Sequence, residues 1–134
     1  SVEAHSGALG SLFGETLKKR IGWFRGGMRD DWELSLAGAY QDRRDYLRAA
    51  TFMYEAFVTR ACNDRRVNPN DFDCRREAYQ EARTQVSAVS QLEHLRNALA
   101  HGVRPRADEN ARTLDDESRL RTRLAALRKD IFQP

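Results

Sequence analysis

Apolar residues in this chain recur three and four positions apart, stretch after stretch, and that spacing commits it to amphipathic helices. Leu9, Leu12, Phe13, Leu17, Ile21 and Phe24 give a first helix over about residues 8–25. Gly10, Gly14 and Gly22 weaken it by roughly 1 kcal/mol each relative to Ala, and Arg25-Gly26-Gly27 ends it. Asp30 and Asp31 read as an N-cap with first-turn acids, opening a short helix through Trp32, Leu36 and Tyr40. Tyr46, Leu47, Ala50, Met53, Tyr54, Phe57 and Ala61 mark a third helix, and residues 63–70 are dense enough in turn formers to predict an exposed loop. A long fourth helix from about Asp73 to Ala100 carries Ala78, Ala82, Val86, Val89, Leu92, Leu95 and Leu99. It stops where Gly102 suits a left-handed backbone and Pro105 cannot continue. Leu120, Leu124, Leu127 and Ile131 mark the last, with arginines on its outer face.

Composition agrees with that period. Thirty Ala and Leu stand against eight Val and Ile, a balance that favours helices over sheets. The expected fold is therefore all-α, a single bundle of about five helices. A chain of 134 residues is expected to form one domain across residues 1–134. No apolar run approaches the ~20 residues that span a bilayer, and the start, Ser1-Val2-Glu3-Ala4-His5, has no secretory pattern. No membrane partner is expected. The opening on Ser1 rather than Met fits a processed chain or an excerpt of a longer protein. Cys62 and Cys74 make neither a disulfide framework nor a zinc spacing, so both are expected as reduced thiols of a cytoplasmic protein.

Twenty of the 23 Lys and Arg residues are Arg, and both ends of the chain carry a basic excess around an acidic middle. Arg is the better phosphate ligand because its planar fork makes bidentate contacts, so this layout permits nucleic-acid binding without requiring it. An Arg-rich proteome produces the same bias with no partner at all. The aromatic stripe of the third helix is expected as core rather than as a ligand box.

Of the three histidines, His5 lies at the terminus, and His94 sits inside the fourth helix with no second ligand nearby. His101 differs, because it closes the longest helix in the string Leu95-Arg96-Asn97-Ala98-Leu99-Ala100-His101-Gly102. The last carbonyls of a helix and the negative end of its dipole suit a cation there. Asn97 is four residues earlier on the same face. Arg96 is five earlier, about 140° round the helix, so the pair converges best if two copies of this helix end meet across a two-fold axis.

That string resembles the R-x4–6-H signature of HEPN domains, the "higher eukaryotes and prokaryotes nucleotide-binding" helical bundles. The upstream segment Ala39-Tyr40-Gln41-Asp42-Arg43-Arg44-Asp45-Tyr46-Leu47-Arg48-Ala49-Ala50, running on to Tyr54-Glu55-Ala56, resembles the HEPN effector of CRISPR-associated type III accessory ribonucleases. The likeness spans about Trp32 to Arg106. It implies a metal-independent endoribonuclease that works as a homodimer on single-stranded RNA, with no cofactor, in type III antiviral defence. Position by position it makes Arg96 and His101 the catalytic pair and Asn97 their polar companion. Arg104 and Arg106, just past the helix, would steer the strand by charge. The CRISPR members also carry a CARF sensor that binds cyclic oligoadenylate. Nothing in this chain resembles one, so a regulatory sensor domain would lie outside it. HEPN-like bundles also serve as toxins paired with a nucleotidyltransferase. A further alternative is a non-catalytic helical module for dimerisation or nucleotide binding.

Overall fold

Three helices begin where an aspartate can close the first turn. The computed structural model describes residues 28–101 and 116–133. They form five helices, here α1 (Arg29–Asp42), α2 (Tyr46–Asp64), α3 (Phe72–Ala82), α4 (Ser87–His101) and α5 (Glu117–Phe132). Asp45, Asp71 and Asp116 are the N-caps of α2, α3 and α5, and their carboxylates accept from the backbone N–H of Arg48, Cys74 and Ser118. Each bond satisfies one of the four amides that a helix start leaves without an intrahelical partner. The architecture is all-α. The helix expected over residues 8–25, and the Gly102–Pro105 stop, lie outside the described residues.

Two boundaries differ from the sequence reading. Met28, not Asp30 or Asp31, is the N-cap of α1, with extended backbone and no side-chain cap bond. Both acids fall inside the first turn, where Asp30 Oδ2 accepts from Arg60 Nε at 2.9 Å instead of capping the helix. The second difference is larger. The long fourth helix is two, α3 and α4, broken across residues 83–86. Thr84 is the physical reason, since its hydroxyl takes the Glu81 carbonyl at 2.7 Å. The backbone tightens beside it into three-residue steps, Thr84 N–H to Glu81 O and Gln85 N–H to Ala82 O. The apolar spacing runs through the break unchanged because Ala82 and Val86 both pack against the same core.

That core centres on α2, which packs against each of the other four helices. Met53, Ala49, Ala50 and Ala56 are fully enclosed, with Leu92 and Leu95 of α4 and Leu124 and Leu127 of α5 around them. A helix buried on most of its circumference brings polar groups inward, and they must find partners there. Thr59 of α2 and Glu33 of α1 are 0% and 2% exposed. The Thr59 hydroxyl donates to Glu33 Oε1 at 2.6 Å, and Arg29 Nε reaches the same oxygen at 3.2 Å. Arg75 of α3 donates to Thr59 Oγ1 at 3.1 Å, to the Pro69 carbonyl at 3.0 Å, and pairs with Glu55. Arg29 also reaches Pro69 O and Asn70 Oδ1. The segment between α2 and α3 is thus fastened from two sides rather than merely solvated.

Helices α1 and α2 end alike. Beyond α1, Asp45 N–H bonds Tyr40 O and Arg44 N–H bonds Gln41 O. Beyond α2, Val67 N–H bonds Cys62 O and Arg66 N–H bonds Asn63 O. Each is a Schellman motif, and each puts an arginine in the left-handed region, φ 62° at Arg44 and 57° at Arg66. Val67 packs on the small cluster of Ala61, Cys62 and Ala78, which supplies the apolar contact that accompanies such a cap.

Two outcomes follow from these features. Arg66→Gly should stabilise the fold by about 1 kcal/mol, because an L side chain is strained there and glycine is not. Thermal unfolding checks it, and a lower melting temperature contradicts it. Burial pushes the Glu33 carboxyl above its ordinary value, more than the Thr59 bond and Arg29 pull it down. The folded state therefore holds that proton more tightly than the unfolded chain. The contribution of Glu33 to stability accordingly falls as pH rises through the raised value. Glu33→Gln keeps an oxygen acceptor for Thr59 and drops this dependence. In urea titrations its midpoint should gain on that of the parent protein as pH rises from the usual glutamate range to neutrality. A constant or shrinking gap contradicts the assignment.

Candidate functional site

Helix α4 carries the three residues that the sequence singles out. Val89, Leu92, Leu95 and Ala98 turn inward and set its rotation. Arg96 and Asn97 then fall on the flanks, half-buried, and His101 is exposed at the final turn. Arg96 and His101 share one uninterrupted helix, so they stand about 140° apart and roughly 7.5 Å along its axis. Arg104 and Arg106 lie outside the described residues. His94 is exposed on the same helix.

Arg96 is held by an aromatic face and a side-chain amide. Its guanidinium carbon lies 4.2 Å from the centroid of the Tyr54 ring, on α2. Its Nη2 donates to Asn97 Oδ1 at 3.0 Å. Four other half-buried arginines, Arg29, Arg60, Arg75 and Arg83, each have a carboxylate within 4.0 Å, respectively Glu33, Asp30, Glu55 and Glu93, while Arg128 donates to the Leu34 carbonyl. Among the described residues no carboxylate comes within ion-pair distance of Arg96. Its positive charge is met by an aromatic face and a neutral amide, and neither cancels it.

The ring beneath Arg96 is itself backed by α3. Tyr54 and Tyr79 meet at 5.1 Å between centroids, inclined at 58°, and Phe57 meets Tyr79 edge-on at 6.3 Å. The Tyr79 hydroxyl donates to Glu93 Oε2 on α4. Arg83, in the joint between α3 and α4, lies over the Tyr79 ring at 5.6 Å and 4.0 Å from Glu93. Burial, followed by the nearby Glu93 charge, pushes the Tyr54 phenol above its ordinary value, against the opposing pull of Arg96. Tyr79 is raised further, by burial and then by its bond to Glu93. Both rings stay neutral phenols at physiological pH, so no phenolate offsets the guanidinium.

Sequence reasoning placed Tyr54 in the core stripe of its helix, and it does pack against the core. Its second contact, with Arg96, crosses 42 residues of chain, and no local spacing announces it. Burial pushes up the thiols of Cys62 and Cys74, at Cys74 with help from the Asp71 charge, and both are free. Thiols shifted that way are poor nucleophiles near neutral pH.

Among the described residues no three His, Cys, Asp or Glu side chains gather where a metal ion could be held. No described helix is long and apolar enough to cross a membrane. Compared with known proteins, the chain matches no family model, no curated protein and no solved structure.

Proposed function

We propose that this chain is a metal-independent endoribonuclease of the HEPN type, acting on single-stranded RNA at a site shared between two copies. The observation that carries the reading is Arg96: a half-buried guanidinium, oriented by Tyr54 and Asn97, with its charge uncompensated among the described residues. It stands on the helix that ends at the exposed His101. Burying a cation without a carboxylate is costly, and an anionic phosphodiester is a partner that would repay it.

The chemistry suits the two side chains. The ribose 2′-oxygen attacks the adjacent phosphorus, the new P–O2′ bond forms, and the P–O5′ bond breaks. The products are a 2′,3′-cyclic phosphate and a 5′-hydroxyl. One proton leaves the 2′-hydroxyl and one reaches the departing 5′-oxygen. A histidine titrates close enough to neutrality to exchange these protons. The equatorial oxygens of the phosphorane gain negative charge, which a guanidinium fork matches in shape and sign. Two copies of α4 would contribute one His101 for each proton and bring the pair together despite the offset along one helix. Arg104 and Arg106 would guide the strand. In this reading the chain is the effector part of a type III antiviral system, and a cyclic-oligoadenylate sensor would lie outside these residues.

Labelled single-stranded RNA incubated with the protein in EDTA should be cut to ends carrying 2′,3′-cyclic phosphate. Arg96→Ala and His101→Ala should each lower the rate by ~10²–10⁴-fold, with helical content unchanged by circular dichroism. A single 2′-deoxy nucleotide should protect the bond that follows it. Cleavage that survives either substitution, or that persists at the deoxy position, overturns the assignment. Light scattering should give twice the chain mass at micromolar concentration. A strictly monomeric protein that still cleaves would remove the shared site.

A further inference from the structure

We infer that Tyr54 is a positioning residue for Arg96, an aromatic plate that aims the guanidinium while leaving its charge and most of its donors available. The consequence for catalysis rests on the ribonuclease reading above; the clamp itself rests on geometry alone. An arginine carries five N–H donors, all directed outward in the plane of the guanidinium. A carboxylate that held Arg96 edge-on would occupy two of them and cancel the charge. Arg29, Arg60 and Arg75 each set one guanidinium nitrogen on a carboxylate oxygen, and Arg83 stands 4.0 Å from one. A ring engages the face instead, attracts the cation through its quadrupole, and uses no donor. At 4.2 Å from the Tyr54 centroid, Arg96 gives up one N–H to Asn97, and among the described residues no other hydrogen-bond partner takes the rest of its edge.

The plate is braced from behind. Tyr54 leans on Tyr79, and the Tyr79 hydroxyl is anchored on Glu93. Glu93 stands three residues before Arg96 and four before Asn97, one turn along the same helix. The contacts therefore run from α4 to α2 to α3 and back to α4, and Arg96 is gripped by a closed circuit rather than by one flexible neighbour. An arginine free in solvent must be ordered when it meets its substrate, whereas this one is ordered beforehand. The working part of Tyr54 is its ring face, so the hydroxyl is dispensable for this role.

The test compares Tyr54→Phe and Tyr54→Leu, with Leu127→Val in the core face of α5 as a packing control outside this circuit. Cleavage is measured well below the melting temperature of each protein. Tyr54→Phe should stay within about 3-fold of the parent rate, and Tyr54→Leu should lose about 10–100-fold, the scale expected of a misplaced catalytic group. Leu127→Val should lower the melting temperature yet stay within about 3-fold in rate. In parallel, the Arg96 Nε–H resonance, assigned by its loss in Arg96→Lys, should carry a ring-current shift in the parent and in Tyr54→Phe. In Tyr54→Leu it should return to the position of a solvated arginine. A parent protein that cleaves no RNA ends the ribonuclease reading and leaves the resonance to decide the clamp. A parent that cleaves, with Tyr54→Leu equally fast or the resonance unmoved, ends the role of Tyr54 alone. Equal rate losses in Tyr54→Leu and Leu127→Val would also overturn it, by showing packing rather than aim.

Discussion

Helix α2 is apolar on most of its circumference, and a helix of that kind has no stable place except beneath other helices. Its enclosure by α1, α3, α4 and α5 sets the rotation of each of them, because each must turn its own apolar stripe toward the same axis. The placement of Arg96 follows. With Leu92 and Leu95 directed at α2, the next flank of α4 passes over the edge of α2 where Tyr54 emerges. A candidate site assembled from two helices is thus a by-product of one helix being buried.

The same enclosure brings Thr59 and Glu33 into the interior, and here hydrophobic burial alone gives no account of the structure. A well-packed apolar pair in their place would often be as stable or more so. What the Glu33–Thr59–Arg75–Glu55 chain adds is direction. Its hydrogen bonds fix how α1 and α3 sit along α2, and they capture the Pro69 carbonyl of the connecting segment. Since α3 supplies Tyr79, which backs Tyr54, this interior network and the Arg96 environment share a structural element.

Much of this was legible in the sequence. The stripes of Leu120, Leu124, Leu127 and Ile131 and of Val89, Leu92 and Leu95 are buried as their period requires, because burial of one face is what selects that period. The break at residues 83–86 was hidden for the same reason. Ala82 and Val86 face the core from either side of it, so apolar spacing cannot distinguish a continuous helix from two that share a partner. Thr84 carried the signal, through a hydroxyl able to compete for a helix carbonyl. The α1 cap was misread because Asp30 has two possible employments, cap or ion pair, and only the position of Arg60, thirty residues on, decides between them. Arg96, Asn97 and His101 could be picked out as a string. The aromatic plate and the missing carboxylate could not, since both are properties of tertiary contact.

Asp71 and Glu33 answer acid with opposite signs. Asp71 is held below the ordinary carboxylate value, chiefly by the backbone N–H of Cys74, so protonating it costs the start of α3 a bond it has at neutral pH. Glu33, in the interior, is relieved by the same proton. Acidification therefore loosens the first turn of α3 while easing the interior around Glu33. The same proton thus weakens the entry to one helix and spares the buried carboxylate from charge, so the two ends of the Arg75 network feel acid differently.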